Sequence, residues 1–218
     1  MPDSTGLEIA WYGQAMFVIS GGGINLVCDP TSPQTGYTYL PVQADVVLVS
    51  HAHFDHNYLE GVKGHPQVIS SAGVSTAGGI DFTGIRSYHD TTHGQERGEN
   101  IIFTWKQGGI SLCHLGDLGG YPDAGTLSRL KGLDILMIPV GGVYTIDAAL
   151  AARLAHELSP SAVIPMHYGT DVCAIPLEPV EDFIRLFEGP SRKITERPLH
   201  YSGMIPPGST ELLVLPHS

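Results

Sequence analysis

Within six residues the chain carries three histidines and an aspartate, His51-Ala52-His53-Phe54-Asp55-His56, spaced H-x-H-x-D-H. Neutral imidazole together with carboxylate is a donor set suited to Zn²⁺, Mn²⁺ or Fe²⁺ at neutral pH. In an extended segment, side chains two residues apart point the same way, so His51 and His53 can converge on one ion. Where the chain then turns into a helix start, Asp55 and His56 are re-aimed and can serve a second ion. Two ions sharing a water lower its pKa from about 15.7 towards 7 and polarise a carbonyl or phosphoryl oxygen, which is the chemistry of hydrolysis. A histidine-rich loop without ligands is the plain alternative, and the buried strand directly before the motif weighs against it.

That strand is Asp45 to Ser50, DVVLVS, a continuous apolar run of the kind buried on both faces of a sheet. Before it, Leu7 to Tyr12, Ala15 to Ser20 and Ile24 to Cys28 read as a strand meander punctuated by Gly13 and by Gly21, Gly22 and Gly23. Further strands are expected at Gln67 to Ser70, Gly84 to Tyr88, Asn100 to Trp105, Ile110 to His114, Asp134 to Pro139, Ala162 to Met166 and Glu211 to Leu215. Leu150, Leu154 and Leu158 recur at helical spacing after Asp147, a good N-cap, and Pro160 ends that helix. A second helix is expected over Val180 to Phe187, with shorter ones after His56 and over Gly125 to Lys131. Strands in both halves with interspersed helices predict an α+β architecture, two sheets packed face to face under outer helices.

The chain has 218 residues and a net charge of −11, with 42% hydrophobic and 15% charged residues, 27 Gly and 16 Pro. That is enough apolar material for one domain spanning residues 1–218, and it excludes a disordered or collagen-like chain. Without a Lys/Arg run, the acidic balance offers no footprint for a nucleic acid. No window supplies the roughly 18 apolar residues of a membrane span, so no membrane is expected as a partner. Residues 1–6 lack a basic leader region, and Cys28, Cys113 and Cys173 are widely spaced with no C-x-x-C pair. A reducing, cytoplasmic setting is the expectation, with the cysteines as small buried residues.

With its H-x-H-x-D-H motif after a buried strand, the sequence resembles the metallo-β-lactamase superfamily. Within it, the chain is most similar to small metal-dependent hydrolases related to the ascorbate-6-phosphate lactonases. Their characteristic strings are matched by Trp11-Tyr12-Gly13-Gln14-Ala15-Met16-Phe17, Val27-Cys28-Asp29-Pro30, His114 to Gly119 (HLGDLG), Pro139 to Gly142 (PVGG) and Ile164 to Tyr168 (IPMHY), in that order. The resemblance implies a four-layer αββα sandwich with metals at one edge between the sheets.

It also implies the remaining ligands. The third histidine of the first metal site falls on His89, with His93 as competitor; the intervening Thr91-Thr92 and the following Gly94 read as loop, which favours His89. The bridging carboxylate maps to Asp117, where Gly116 lets the backbone come close, and the last ligand maps to His167. The expected sites are therefore His51, His53 and His89 for one ion and Asp55, His56 and His167 for the other, with Asp117 shared. Two divalent ions, zinc or else manganese or iron, are the implied cofactors.

In the expected mechanism Asp55 and Asp117 orient the nucleophile and accept its proton, while His114 or Tyr168 donates to the leaving group. His114 can equally be a satisfied core histidine. Gly141, Gly142, Tyr144, Thr145 and Tyr168 are candidate substrate contacts, since loops at strand ends commonly line such sites. Asp29 and Asp90 are candidate outer carboxylates; His65, His156, His200 and His217 have no motif context and are expected at the surface. The expected partner is a small ester, lactone or sugar-phosphate-type substrate. A phosphodiester is the runner-up, and a di-iron redox centre on the same fold a distant third. Assembly into a homo-oligomer is compatible with the family and not legible in the residues.

Overall fold

A computed structural model describes residues 6–38, 41–203 and 209–218; most of the stretch read for a leader lies outside them. Two mixed sheets dominate. The first runs, edge to edge, Leu199–Tyr201, Leu7–Trp11, Phe17–Gly21, Ile24–Cys28, Val46–Leu48 and Gln67–Ile69. The second runs Ser191–Lys193, Glu211–Val214, Ala162–Met166, Ile135–Pro139, Ile110–His114, Glu99–Gln107, Ile80–Tyr88 and Gly73–Ala77.

Alternation along each strand decides which side chains meet between the sheets. Ile9, Phe17, Leu26 and Val46 from the first sheet join Phe82, Phe103, Leu112, Met137 and Ile164 from the second in one buried core. Burying a large aliphatic or aromatic side chain contributes about 1.5–3 kcal/mol each, so this shared layer holds the sheets together. The alternate residues of the first sheet, Val27 and Val47, form a smaller cluster with Met16 and Val49 on its other face.

The helix Ala148–Leu158 begins where the Asp147 carboxylate accepts from the Leu150 amide at 2.8 Å, and it buries Ala151, Leu154, Ala155 and Leu158. The helix Val180–Leu186 packs beside it. Over the first sheet the outer layer is slighter than the sequence suggests. The helix expected after His56 is a single 3-10 turn, Leu59–Gly61, and the small cluster is covered in part by a ribbon of Val42–Gln43 and Val62–Lys63. Gly64, close behind, cannot extend a helix from that turn without cost.

The strand expected from Gly84 begins at Ile80 and forms a hairpin with Gly73–Ala77 across Gly78 and Gly79. That hairpin strand gave no apolar signal, because Ser75 and Thr76 alternate with few hydrophobics and Val74 is 72% exposed.

The topology brings strand ends to one edge. Ile110–His114, Ile135–Pro139 and Ala162–Met166 are mutually parallel, so the loops that follow them, at Gly116, Gly141 and His167, emerge together. In the other sheet Ile24–Cys28, Val46–Leu48 and Gln67–Ile69 are parallel in turn and deliver Asp29 and the Ser50-His51 segment.

Candidate metal centre

The motif leaves the Val46–Leu48 strand as an extended segment and then makes one tight turn. The amides of His56 and Asn57 both donate to the His53 carbonyl, at 3.0 and 3.1 Å. This turn separates the histidines into two groups. His51, His53 and His89 bring ring nitrogens within 4.8 Å of one another, as do donor atoms of Asp55, His56, Asp117 and His167. His93, at φ 57°, instead sets its ring edge-on against Tyr88 at 5.3 Å and belongs to neither group.

Asp117 joins the two. Its Oδ2 lies 3.1 Å from His56 Nε2, 3.2 Å from His89 Nε2, 3.2 Å from His167 Nε2 and 3.9 Å from His51 Nε2. Its backbone is fixed by Asn100, whose Oδ1 accepts from the Asp117 amide at 2.9 Å while Nδ2 donates to the Leu115 carbonyl. Gly116, at φ 55°, passes so close to Asn100 and Ser50 that any Cβ there would collide with both.

Asp29 sits behind these ligands, fully buried at φ 43°. It accepts from the Ser50 amide at 2.7 Å and the Ser50 hydroxyl at 2.6 Å, and from His56 Nδ1 at 2.9 Å. The Ser50 oxygen is in turn 2.9 Å from His51 Nδ1. One carboxylate thereby orients a histidine of each group, which is the outer-shell role that fixes ring orientation and raises ligand basicity.

Burial alone would raise the carboxyls of Asp55 and Asp117, yet the His167 and His56 side chains hold both well below the usual carboxylate range. The same pairing works in reverse on the histidines. Burial opposes their charge, but Asp117 draws positive charge onto His167, pushed up to about 9, and onto His56, raised well above an ordinary histidine. His51 behaves oppositely: burial, reinforced by neighbouring His56, pushes it down to about 3 and leaves a neutral imidazole.

These residues fit divalent metal ions. His56 Nε2 and Asp117 Oδ1 are buried with no hydrogen-bond partner among the described residues. Two carboxylates face two histidines whose pKa values show a demand for positive charge, beside three further imidazoles. Buried donors of this kind are costly unless satisfied, and a cation satisfies them.

Above the cluster lies a cavity of about 500 Å³. It is lined by Asp55, His89, Asp117 and His167 of the cluster, by the apolar Phe54, Ile175 and Pro176, and by Arg97 and Tyr144. Neither Phe54, exposed inside the motif, nor Arg97, nor the 174–176 segment was signalled by the sequence.

Other expected contacts lie elsewhere. His114 is 1% exposed; its Nδ1 accepts from the Gly116 amide at 3.2 Å and its Nε2 donates to the Ala15 carbonyl at 2.9 Å. Both ring nitrogens are thus used by backbone, and the ring does not line the cavity. Tyr168 is buried with its ring 4.7 Å from that of Trp11. Gly142 borders a separate depression beside Asp147 and Glu178, and the Thr145 hydroxyl donates to the Ile146 carbonyl at 3.1 Å. Gly141 packs against the His167 backbone and donates to its carbonyl at 3.0 Å.

Asp90 caps the loop that follows His89. His65, His156 and His200 are exposed, while His217 is half-buried, edge-on to Tyr37 and paired with Asp171 at 3.1 Å. Cys28 and Cys113 are buried, Cys173 is half-buried, and all are free. Among the described residues no helix is long and apolar enough to cross a membrane.

Comparison with known proteins agrees with this geometry. Residues 8–167 match the family described as Beta-lactamase superfamily domain. A UPF0173 metal-dependent hydrolase of Koribacter versatilis is 30% identical over 77% of this chain and 87% of its own length. A solved Thermotoga maritima structure of the metallo-β-lactamase superfamily is 32% identical, with TM-score 0.72, covering 96% of this chain and 100% of that one. CmlA, a diiron β-hydroxylase of Streptomyces venezuelae, has TM-score 0.56 at 16% identity, over 86% of this chain and 48% of its own; that likeness is one of fold alone. The chain belongs to the β-lactamase superfamily domain family, and within it to the metal-dependent hydrolases.

Proposed function

We propose that this chain holds two divalent ions, zinc by preference, and hydrolyses a small ester, lactone or sugar-phosphate-type substrate. The observation that carries the reading is Asp117 Oδ2, within 3.1 to 3.9 Å of histidine nitrogens from both ligand groups. His51, His53 and His89 would hold one ion and Asp55, His56 and His167 the other, with Asp117 between. When bound, two such ions supply a low-pKa water at neutral pH and polarise the oxygen of the scissile group.

The chain's own residues do the rest. Asp55, whose side chain is 10% exposed and lines the cavity, is held ionised and would orient the attacking water by accepting its hydrogen bond. Asp29, Ser50 and His114 are positioning residues, the first two acting through ring nitrogens and the third through the Gly116 amide. The cavity has the volume of a small-molecule site rather than a polymer groove, and its mixed apolar and polar walls are typical of one. A Thermotoga maritima relative designated a candidate Zn-dependent hydrolase supports zinc as the first metal to try.

Elemental analysis of purified protein, paired with a screen of simple lactones, carboxylic esters, phosphomonoesters and phosphodiesters, tests this reading. Zinc bound in two equivalents with turnover lost to a chelator is expected. Iron in both sites with a visible absorption band and no hydrolysis of any arm would replace it with the redox alternative.

A further inference from the structure

Arg97 is half-buried and lines the cavity, and it is the single Lys or Arg among the described residues that do so. Its guanidinium lies 5.6 Å from the centroid of the Tyr144 ring, itself part of the wall. Among the described residues no carboxylate lies within ion-pair distance of it, in a chain with twice as many acidic as basic side chains. The acids nearest in sequence are engaged elsewhere: Glu96 accepts from the Thr92 hydroxyl at 3.3 Å, and Glu99 pairs with Arg86 at 3.5 Å.

The loop that carries Arg97 is built to hold it in place. The Asp90 carboxylate accepts from the amides of Thr92, Gly94, Glu96 and Arg97 at 2.8 to 3.0 Å, and from the Thr92 hydroxyl at 2.9 Å. Gly119 packs against the backbone of His89 and Asp90 with no room for a side chain, which locks the loop onto the metal edge. Tyr144 comes from the loop that follows the Ile135–Pro139 strand, next to Val143, a β-branched residue at φ 58° and therefore strained.

A positive side chain that lines the same cavity as a cluster that collects cations is electrostatically unfavourable unless an anion lies between them. Guanidinium is also the side chain whose planar fork matches carboxylate and phosphate oxygens. We propose that Arg97, braced against Tyr144, receives an anionic group of the substrate, a carboxylate or a phosphate, while the apolar body of that substrate lies against Phe54, Ile175 and Pro176. This rests on the hydrolase reading above and narrows its substrate class to small, singly headed anions with an apolar portion.

The test uses full-length, zinc-loaded protein and two readouts. The first is kcat/KM for a matched pair of aryl esters, one bearing a carboxylate on the acyl group and one its neutral amide. Arg97→Gln is expected to reduce the anionic-to-neutral preference about 10- to 100-fold, as loss of a charge-assisted hydrogen bond does, chiefly through KM; Arg97→Lys recovers part of it. The second is calorimetric binding of benzoate and phenylphosphonate against benzamide, which needs no turnover. Arg97→Gln is expected to weaken both anions about tenfold or more relative to benzamide, and the anion that suffers more identifies the head group.

Tyr144→Leu, which removes the brace and not the charge, should shift the same ratios by a smaller factor. Anion binding and anionic preference equal in wild type and Arg97→Gln would overturn the proposal while leaving the hydrolase reading intact. Absence of zinc and of any hydrolysis strikes the hydrolase reading instead, and the calorimetric arm still decides on Arg97.

Discussion

Asp29 Oδ2 accepts a 2.9 Å hydrogen bond from His56 Nδ1, and this leaves His56 Nε2 facing Asp117 Oδ2 at 3.1 Å. The buried carboxylate thus fixes both the tautomer and the direction of one histidine, and it reaches His51 through Ser50. Asp29→Asn keeps the shape but loses the charge and one acceptor. Zinc affinity is expected to fall about 10- to 100-fold, the usual cost of removing an outer-shell partner. Chelator competition measures it, and unchanged affinity would remove Asp29 from the site's construction.

Gly116 permits the close approach of three segments at the centre of the cluster. In Gly116→Ala the new methyl stands at φ 55° and 2.6 Å from Ser50 Cβ, with Asn100 also in its way. The left-handed backbone and the overpacking together should cost about 2–4 kcal/mol. Thermal melting of the variant should show that loss, and it should bind less zinc because the Asp117 backbone moves. A variant as stable as wild type would mean that the Ser50 and Asn100 contacts yield easily.

In metal-free protein, His167 is pushed up to about 9 by Asp117 despite its burial. A raised histidine contributes stability that is complete below its unfolded pKa near 6.5 and is lost as the pH rises through its folded value. Chelator-treated protein should therefore lose melting temperature between about pH 6.5 and 9. Zinc, which takes the place of those protons, should stabilise more at the upper end of that window. Melting curves with and without zinc at several pH values check this; a metal-free melting temperature that rises from pH 6.5 to 9 would contradict it.

Of the two tyrosines expected at the substrate, Tyr144 lines the cavity and Tyr168 does not. The Tyr168 ring lies against Trp11 and its phenol is raised by burial. Tyr168→Phe retains the ring, so turnover within about twofold of wild type is expected, surface and core substitutions without lost contacts being nearly neutral. A tenfold fall in kcat would bring the Tyr168 hydroxyl back into the reaction.

The first part of the cluster was legible because its signal is local: H-x-H-x-D-H follows a buried strand. Asp117 and His167, in the HLGD and IPMHY strings, were reached only through the family resemblance that those strings carry. His89 needed the loop character of residues 90–94 to be preferred over His93, and the structure groups His89 with His51 and His53. Arg97 and Ile175 were not legible. Each reaches the cavity through tertiary packing of a loop with no periodicity, and Arg97 depends on Asp90 collecting four amides, a pattern without a sequence signature.

The fold was legible where strands are buried on both faces, as at Val46–Leu48, and missed where an edge strand such as Gly73–Ala77 is polar and exposed. The helix expected after His56 failed because one turn suffices to re-aim Asp55 and His56, and the following Gly61 and Gly64 favour its end.

The central claim is that Asp117 is shared by two metal sites, and metal stoichiometry of wild type and Asp117→Ala, loaded with zinc and measured by elemental analysis, tests it most directly. Two zinc ions per chain in the wild type, and one or none in Asp117→Ala with turnover nearly abolished, are the expected results. Equal zinc content in both proteins, with turnover preserved in the variant, would contradict a shared carboxylate at the heart of the site.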